Sequence, residues 1–174
     1  MGARAGAPAV VVRAAVPADA EALGRCHLEC WREAYGGLVD PARLAPFLAD
    51  VEGFVQRWRG FLGGEWPVRV AESDDGLVGF AAVRPASSGG PARLSGLYVR
   101  RACWSTGLGR RLLDSVLGDE PATLEVFRDN VRARRFYARN GFVPDGTETE
   151  EPRLGGVEIG MVRPAPAPRR ARST

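Results

Sequence analysis

The sequence predicts an α/β (α+β) chain built on one mixed, mostly antiparallel sheet of six to seven strands flanked by about four helices. Three observations carry that reading. Apolar positions switch between a period of two and a period near 3.6, in the order β-αα-βββ-α-β-α-ββ. Clusters of Gly, Pro, Asn and Asp punctuate the switches. One joint, Leu97 to Leu113, reads as strand, glycine-containing loop and helix.

Taken in order, Val10-Val11-Val12-Arg13 is a short β-branched run and the first strand. Pro17-Ala18-Asp19 opens a helix, with proline in the first turn and an acid early. Leu23, Cys26, His27, Cys30, Trp31 and Ala34 form its stripe, and Tyr35-Gly36-Gly37-Leu38 ends it. A second helical region, irregular near Pro41 and Pro46, carries Leu44, Leu48, Phe54, Val55 and Trp58. Pro67 to Glu72 and Leu77 to Val83 are strands joined by the turn Ser73-Asp74-Asp75-Gly76. Ser87-Ser88-Gly89-Gly90-Pro91 is a loop. Leu94 to Val99 is the central strand, and Thr106 to about Leu117 the next helix. Thr123 to Phe127 is a strand, and Asn130 to Asn140 a helix closed by Gly141. Val143 to about Glu151 and Val157 to Val162 make a terminal hairpin around Gly155-Gly156.

A chain of 174 residues is one domain with room for a sizeable core. No apolar run approaches the roughly 18 residues that span a bilayer. The stretch 1–9 is rich in Ala and Gly without the apolar core of a secretory signal, and is expected to be flexible. The folded domain is expected over 10–163 and a Pro/Ala/Arg-rich, disordered tail over 164–174. Four arginines, Arg163, Arg169, Arg170 and Arg172, lie at that end. Subtracting them from the net charge of +3 leaves the body near −1, so the basic balance does not argue for a nucleic-acid partner. The expected setting is the cytoplasm, as a monomer or homodimer. Cys26, Cys30 and Cys103 are too few for a disulfide framework. Cys26 and the sole histidine, His27, point about 100° apart on a helix, which argues against a zinc set. No metal is expected, and His27 reads as a satisfied side chain of its helix.

The loop from Trp104 to Arg110 leaves unpaired N–H groups at a helix N-terminus, an anion site. Gly107 and Gly109 let a phosphate approach the backbone. A P-loop is excluded because the chain has no lysine. A dinucleotide fingerprint is excluded because Leu112 stands where its third glycine belongs.

What the stretch resembles is the acyl-CoA loop of the GNAT N-acetyltransferases, Gln/Arg-x-x-Gly-x-Gly/Ala after a strand ending in Val. Gly107 and Gly109 match the two small positions. Trp104 stands where Gln or Arg is usual, and Ser105 where a further glycine is common. Downstream, Asn130, Ala133, Phe136-Tyr137 and Asn140-Gly141-Phe142 are similar to the second signature of that family, in register. The resemblance covers Val10 to Arg163 and implies the GNAT fold.

The resemblance implies acetyl transfer from acetyl-CoA, as cosubstrate, to a primary amine of a small molecule or peptide. Leu97, Tyr98 and Val99 would pair with the pantetheine arm. Trp104, Ser105, Thr106, Gly107, Leu108, Gly109 and Arg110 would hold the pyrophosphate, and Asn130 and Phe136 would meet the cofactor. Tyr137 would be the general acid. Glu125 would be the base: Leu124-Glu125-Val126 resembles the same strand of the ribosomal-protein alanine N-acetyltransferases, where the Glu serves so. Glu33, Asp40, Glu72 and a water chain are the other options. Trp31 and Tyr35 would border the acceptor. A protein N-terminal or lysine acetyltransferase, and a non-catalytic acyl-CoA-binding module, are the alternative readings.

Overall fold

The computed structural model describes residues 9–86 and 90–165. In chain order the elements are β1 (Val11–Ala14), a 3-10 turn (Pro17–Asp19), α1 (Ala20–Tyr35), α2 (Pro41–Ala49), α3 (Val51–Leu62), β2 (Val68–Ser73) and β3 (Gly76–Arg84). Then follow β4 (Ala92–Val99), a 3-10 turn (Arg101–Cys103), α4 (Leu108–Leu117), β5 (Ala122–Phe127), α5 (Val131–Arg139), β6 (Val143–Glu150) and β7 (Val157–Arg163). The strands form one sheet in the order β1-β2-β3-β4-β5-β7-β6. Only β4 and β5 run parallel; the other neighbours are antiparallel. The expected loop 87–91 and the two chain ends fall largely outside the described residues.

The helical region after α1 is two helices rather than the one expected. Asp50 leaves helical geometry, and its carboxylate accepts from the Gly53 N–H at 2.9 Å, capping α3. Asp40 caps α2 in the same way, accepting from the Ala42 N–H at 2.8 Å. These caps satisfy orphan donors at both helix starts.

Each face of the sheet buries a separate core. On one face α1 and α3 bring Leu23 and Trp58 against Val70 and Phe80. On the other, Leu113 and Leu117 of α4 and Tyr137 of α5 meet Leu124, Val126, Ile159 and Met161. Leu108 and Leu112 of α4 cover Ala71 and Ala81.

The feature that shapes the site is an interruption inside the sheet. β4 and β5 pair only at Ala92↔Ala122 and Arg93↔Thr123, then diverge. A bulge prepares the divergence: Ala82 pairs with Gly96 and Val83 with Leu94, so Ser95 has no partner in β3. An extra residue bends its strand, which turns the second half of β4 away from β5.

α1 and α3 approach so closely that Gly24 has no room for a side chain. A Cβ there would lie 2.8 Å from Val55 Cγ2 and 3.0 Å from the Val55 Cα. Gly24→Ala adds about 1 kcal/mol of helix propensity, but forcing a methyl against backbone costs about 1–3 kcal/mol. The clash wins, and the melting temperature should fall by about 2–4 °C per kcal/mol lost. An unchanged or raised melting temperature would show that α3 can slide.

Candidate active site

Where β4 and β5 part, a cleft of about 820 Å³ opens through the sheet. Leu94 to Val99 form one wall and Glu125 to Phe127 the other. Gly107, Gly109 and Arg110 close one end; Tyr35, Glu151, Arg153 and Glu158 also line it; and Asn130, Ala133, Phe136 and Tyr137 come from the α5 side. Space is tight at one of these positions: a Cβ on Gly109 would sit 3.2 Å from the Phe136 ring, which would have to shift by a few tenths of an ångström.

The β4 wall presents unpaired backbone. The Arg100 N–H bonds the Val78 carbonyl in β3 at 2.8 Å. Backbone groups alternate sides along a strand, so Tyr98 also turns its N–H to β3. Leu97 and Val99 turn theirs to the cleft. The Val99 carbonyl accepts from Trp104 Nε1 at 2.7 Å, and Val99 has no partner in β5.

The loop after β4 ends in the uncapped start of α4. Gly107 has a φ of +87° and no side chain caps the helix. The N–H groups of Leu108, Gly109 and Arg110 therefore lack intrahelical partners, and the helix dipole adds partial positive charge there. Ser105 has a φ of +61°, which explains why a glycine is natural at that position. The Arg132 guanidinium stacks 3.3 Å from the Trp104 ring centre, and that of Arg101 lies at 5.2 Å. The indole thus anchors a pair of cations beside the loop. Arg110 is held by Asp114 at 2.7 Å and by Asn140 at 2.8 Å. Leu108 turns its side chain into the core and Thr106 donates to the Cys103 carbonyl, so any contribution of either is through backbone.

Asn130 and Tyr137 share one face of α5, seven residues apart, as the spacing predicts. Asn130 Oδ1 accepts from the Ala133 N–H at 3.1 Å, so it caps the helix while bordering the cleft. Tyr137 is 8% exposed, and burial and the nearby Tyr98 push its pKa up. Among the described residues its hydroxyl makes no hydrogen bond. The Tyr35 and Tyr98 hydroxyls bond each other at 2.7 Å. Burial raises both phenols as well.

Of the two expected acceptor contacts, only Tyr35 lines the cleft. Trp31 lies behind it, edge-on to Tyr35 and Phe54, with its indole N–H buried and unpartnered among the described residues. His27 packs among Trp31, Phe54, Phe80 and Tyr98, and its Nδ1 accepts from Trp58 Nε1 at 3.2 Å. Burial pushes its pKa down to about 3, so the ring is neutral at pH 7. Among the described residues no group of three His, Cys, Asp or Glu side chains is arranged to hold a metal ion.

Three carboxylates line the cleft. Glu125 is ion-paired with Arg93 at 2.5 Å, and Glu151 with Arg153 at 2.8 Å. Glu158 lies on β7 opposite Phe127. Spacing does not single it out, because nothing local marks a glutamate in a terminal strand. Glu33 bonds Arg100 and the Arg101 N–H, Asp40 caps α2, and Glu72 pairs with Arg13. None of these three lines the cleft.

Known proteins place the chain. A family model described as an acetyltransferase (GNAT) domain matches residues 64–144. The Mycobacterium tuberculosis protein named "Probable N-acetyltransferase Rv2775" is 30% identical over 159 residues, 85% of this chain and 88% of that one. The chain belongs to the GNAT acetyltransferase family. The fold agrees with that of solved GNAT-like structures. PaiA N-acetyltransferase of Thermoplasma acidophilum, in complex with coenzyme A, superposes with a TM-score of 0.69 at 20% identity, covering 89% of this chain and 98% of that one. The yncA protein of Salmonella typhimurium, with its cofactor acetyl-CoA, gives 0.65 at 18% identity, covering 93% and 99%. As a GNAT enzyme the chain is an acyl-CoA-dependent acetyltransferase.

The loop geometry generates a test. A Cβ on Gly107 meets nothing within 4 Å, so Gly107→Glu fits but sets a carboxylate before the uncapped N–H groups. The positive φ costs about 1–2 kcal/mol for any L side chain, and Gly107→Ala carries that strain without charge. Coenzyme A affinity, by calorimetry, should fall at least about tenfold further in the Glu variant than in the Ala variant. Equal affinities would remove the phosphate from this loop.

Proposed function

We propose that the protein moves an acetyl group from acetyl-CoA to a primary amine of a small molecule or peptide, by direct attack within the cleft. The observation that carries this reading is the meeting, in one cavity, of unpaired β4 backbone, the uncapped start of α4 and the Tyr137 hydroxyl. The similarity to PaiA and yncA, solved with coenzyme A and acetyl-CoA, supports the choice of donor. The cytoplasm is the setting that goes with an acetyl-CoA-dependent reaction.

Each part has a task. The pyrophosphate lies before the N–H groups of Leu108, Gly109 and Arg110, where helix dipole and free donors favour an anion. Arg101 and Arg132, gathered on Trp104, add positive charge beside it. The pantetheine arm lies along Leu97 to Val99 as an added strand would. The Val99 N–H points where the thioester carbonyl would come, and a fixed donor there stabilises the oxyanion that forms on attack. Tyr35 and Tyr98 border the acceptor end, with Trp31 as their packing support.

Tyr137 protonates the leaving thiolate. Its raised pKa keeps the phenol protonated at neutral pH, and its unpartnered hydroxyl leaves the proton available. The amine must be neutral to attack, so a base belongs to the same cavity. Glu125, the base expected from sequence, borders it but is occupied by Arg93.

Tyr137→Phe deletes one hydroxyl and almost no volume, in a site already lined by Phe136 and Phe142. The variant should keep its acetyl-CoA dissociation constant and lose roughly 10²-fold or more in kcat with a competent amine. Both are read on one preparation. Wild-type turnover would remove Tyr137 from proton transfer.

A further inference from the structure

We propose that Glu158 on β7 takes the proton from the acceptor ammonium; this rests on the acetyl-transfer reading and names the base within it. Three observations lead there. Glu125 and Glu151 each hold an arginine, whereas Glu158 makes no ion pair or hydrogen bond among the described residues. Glu158 is only half-buried, yet it lies in the cleft rather than on the outer surface. A half-buried carboxylate without a partner is costly unless something else in the cavity completes it. An ammonium is the chemical complement.

The register places this carboxylate on the acceptor side. Glu158 pairs with Phe127 of β5 and Thr149 of β6, and cross-strand partners share a face. Phe127 packs edge-on against Tyr35, whose hydroxyl meets that of Tyr98. Glu158 therefore faces the aromatic end of the cleft, away from the phosphate loop. The charged and titratable groups around it are Glu125 of β5, Arg93 of β4, Glu151 and Arg153 between β6 and β7, and Tyr35 of α1.

Electrostatics suits a base. Desolvation first, then Glu125 and Glu151, push the Glu158 pKa up, against Arg93 and Arg153. A more basic carboxylate accepts a proton more readily. The protons balance. The acceptor ammonium gives one proton to Glu158, which releases it to solvent. The neutral nitrogen attacks the thioester carbon, the C–N bond forms and the C–S bond breaks. The Tyr137 proton goes to the thiolate, and the second amine proton restores the phenol. The products are the amide, coenzyme A thiol and one released proton.

The experiment compares kcat/KM against pH for wild type, Glu158→Gln and Glu125→Gln, with an amine found in an acetyl-CoA consumption screen. Glu158→Gln should cost roughly 10²-fold or more at neutral pH and flatten the low-pH limb. The loss should shrink at high pH, where the amine deprotonates unaided. Glu125→Gln should keep the limb and move it to lower pH, because it removes a negative neighbour and frees Arg93. Glu158→Asp should retain the limb with reduced rate, which separates chemistry from folding, and acetyl-CoA affinity should be unchanged in all three. A Glu158→Gln profile that overlays wild type, or loss of the limb in Glu125→Gln instead, overturns this assignment alone. A wild type that acetylates no amine while binding acetyl-CoA overturns the functional reading and this base with it.

Discussion

The structure depends on the failure of β4 and β5 to stay paired. Two register pairs join them, and the bulge at Ser95 then bends β4 away. Unpaired backbone inside a sheet costs about 1–3 kcal/mol per buried group left without a partner. Here the unpaired groups face a cavity, where water or an extended ligand arm satisfies them. A continuous sheet would have been more stable and would have had no cleft.

Helix ends follow the same logic. Asp40, Asp50 and Asn130 cap α2, α3 and α5 with side-chain oxygens. α4 has none, and its first N–H groups open on the cleft. α1 also lacks a side-chain cap, but it is entered through a 3-10 turn in which the Pro17 carbonyl accepts from the Ala20 N–H, whereas the first turn of α4 faces the cleft. Glu33 fixes this end of β4 to α1 by accepting from the Arg100 side chain and the Arg101 N–H. The loop is thus held on both sides, by Glu33 and by the bond from Trp104 to Val99.

Much of this is written locally. The strand, loop and helix around Gly107, and the common face of Asn130 and Tyr137, follow from spacing because each lies within one short stretch. The split between α2 and α3 turns on one cap at Asp50, which the two prolines nearby mask. What spacing cannot reveal is non-local. Arg93 meets Glu125 across the parallel pair, Arg132 reaches Trp104 from the following helix, and Glu158 enters the cleft because β7 lies between β5 and β6. A helical stripe likewise cannot separate Tyr35, which lines the cleft, from Trp31, one turn earlier, which packs behind it.

The most direct test of the divided sheet as the cofactor site is amide hydrogen exchange along β4, with and without acetyl-CoA. Tyr98 and Arg100 turn their N–H groups to β3 and should be protected in both states. Leu97 and Val99 turn theirs to the cleft and should exchange quickly alone, then become protected on binding. Alternating protection, gained at Leu97 and Val99 and unchanged at Tyr98, is the predicted result. Binding of acetyl-CoA with no change at Leu97 or Val99 would contradict the account.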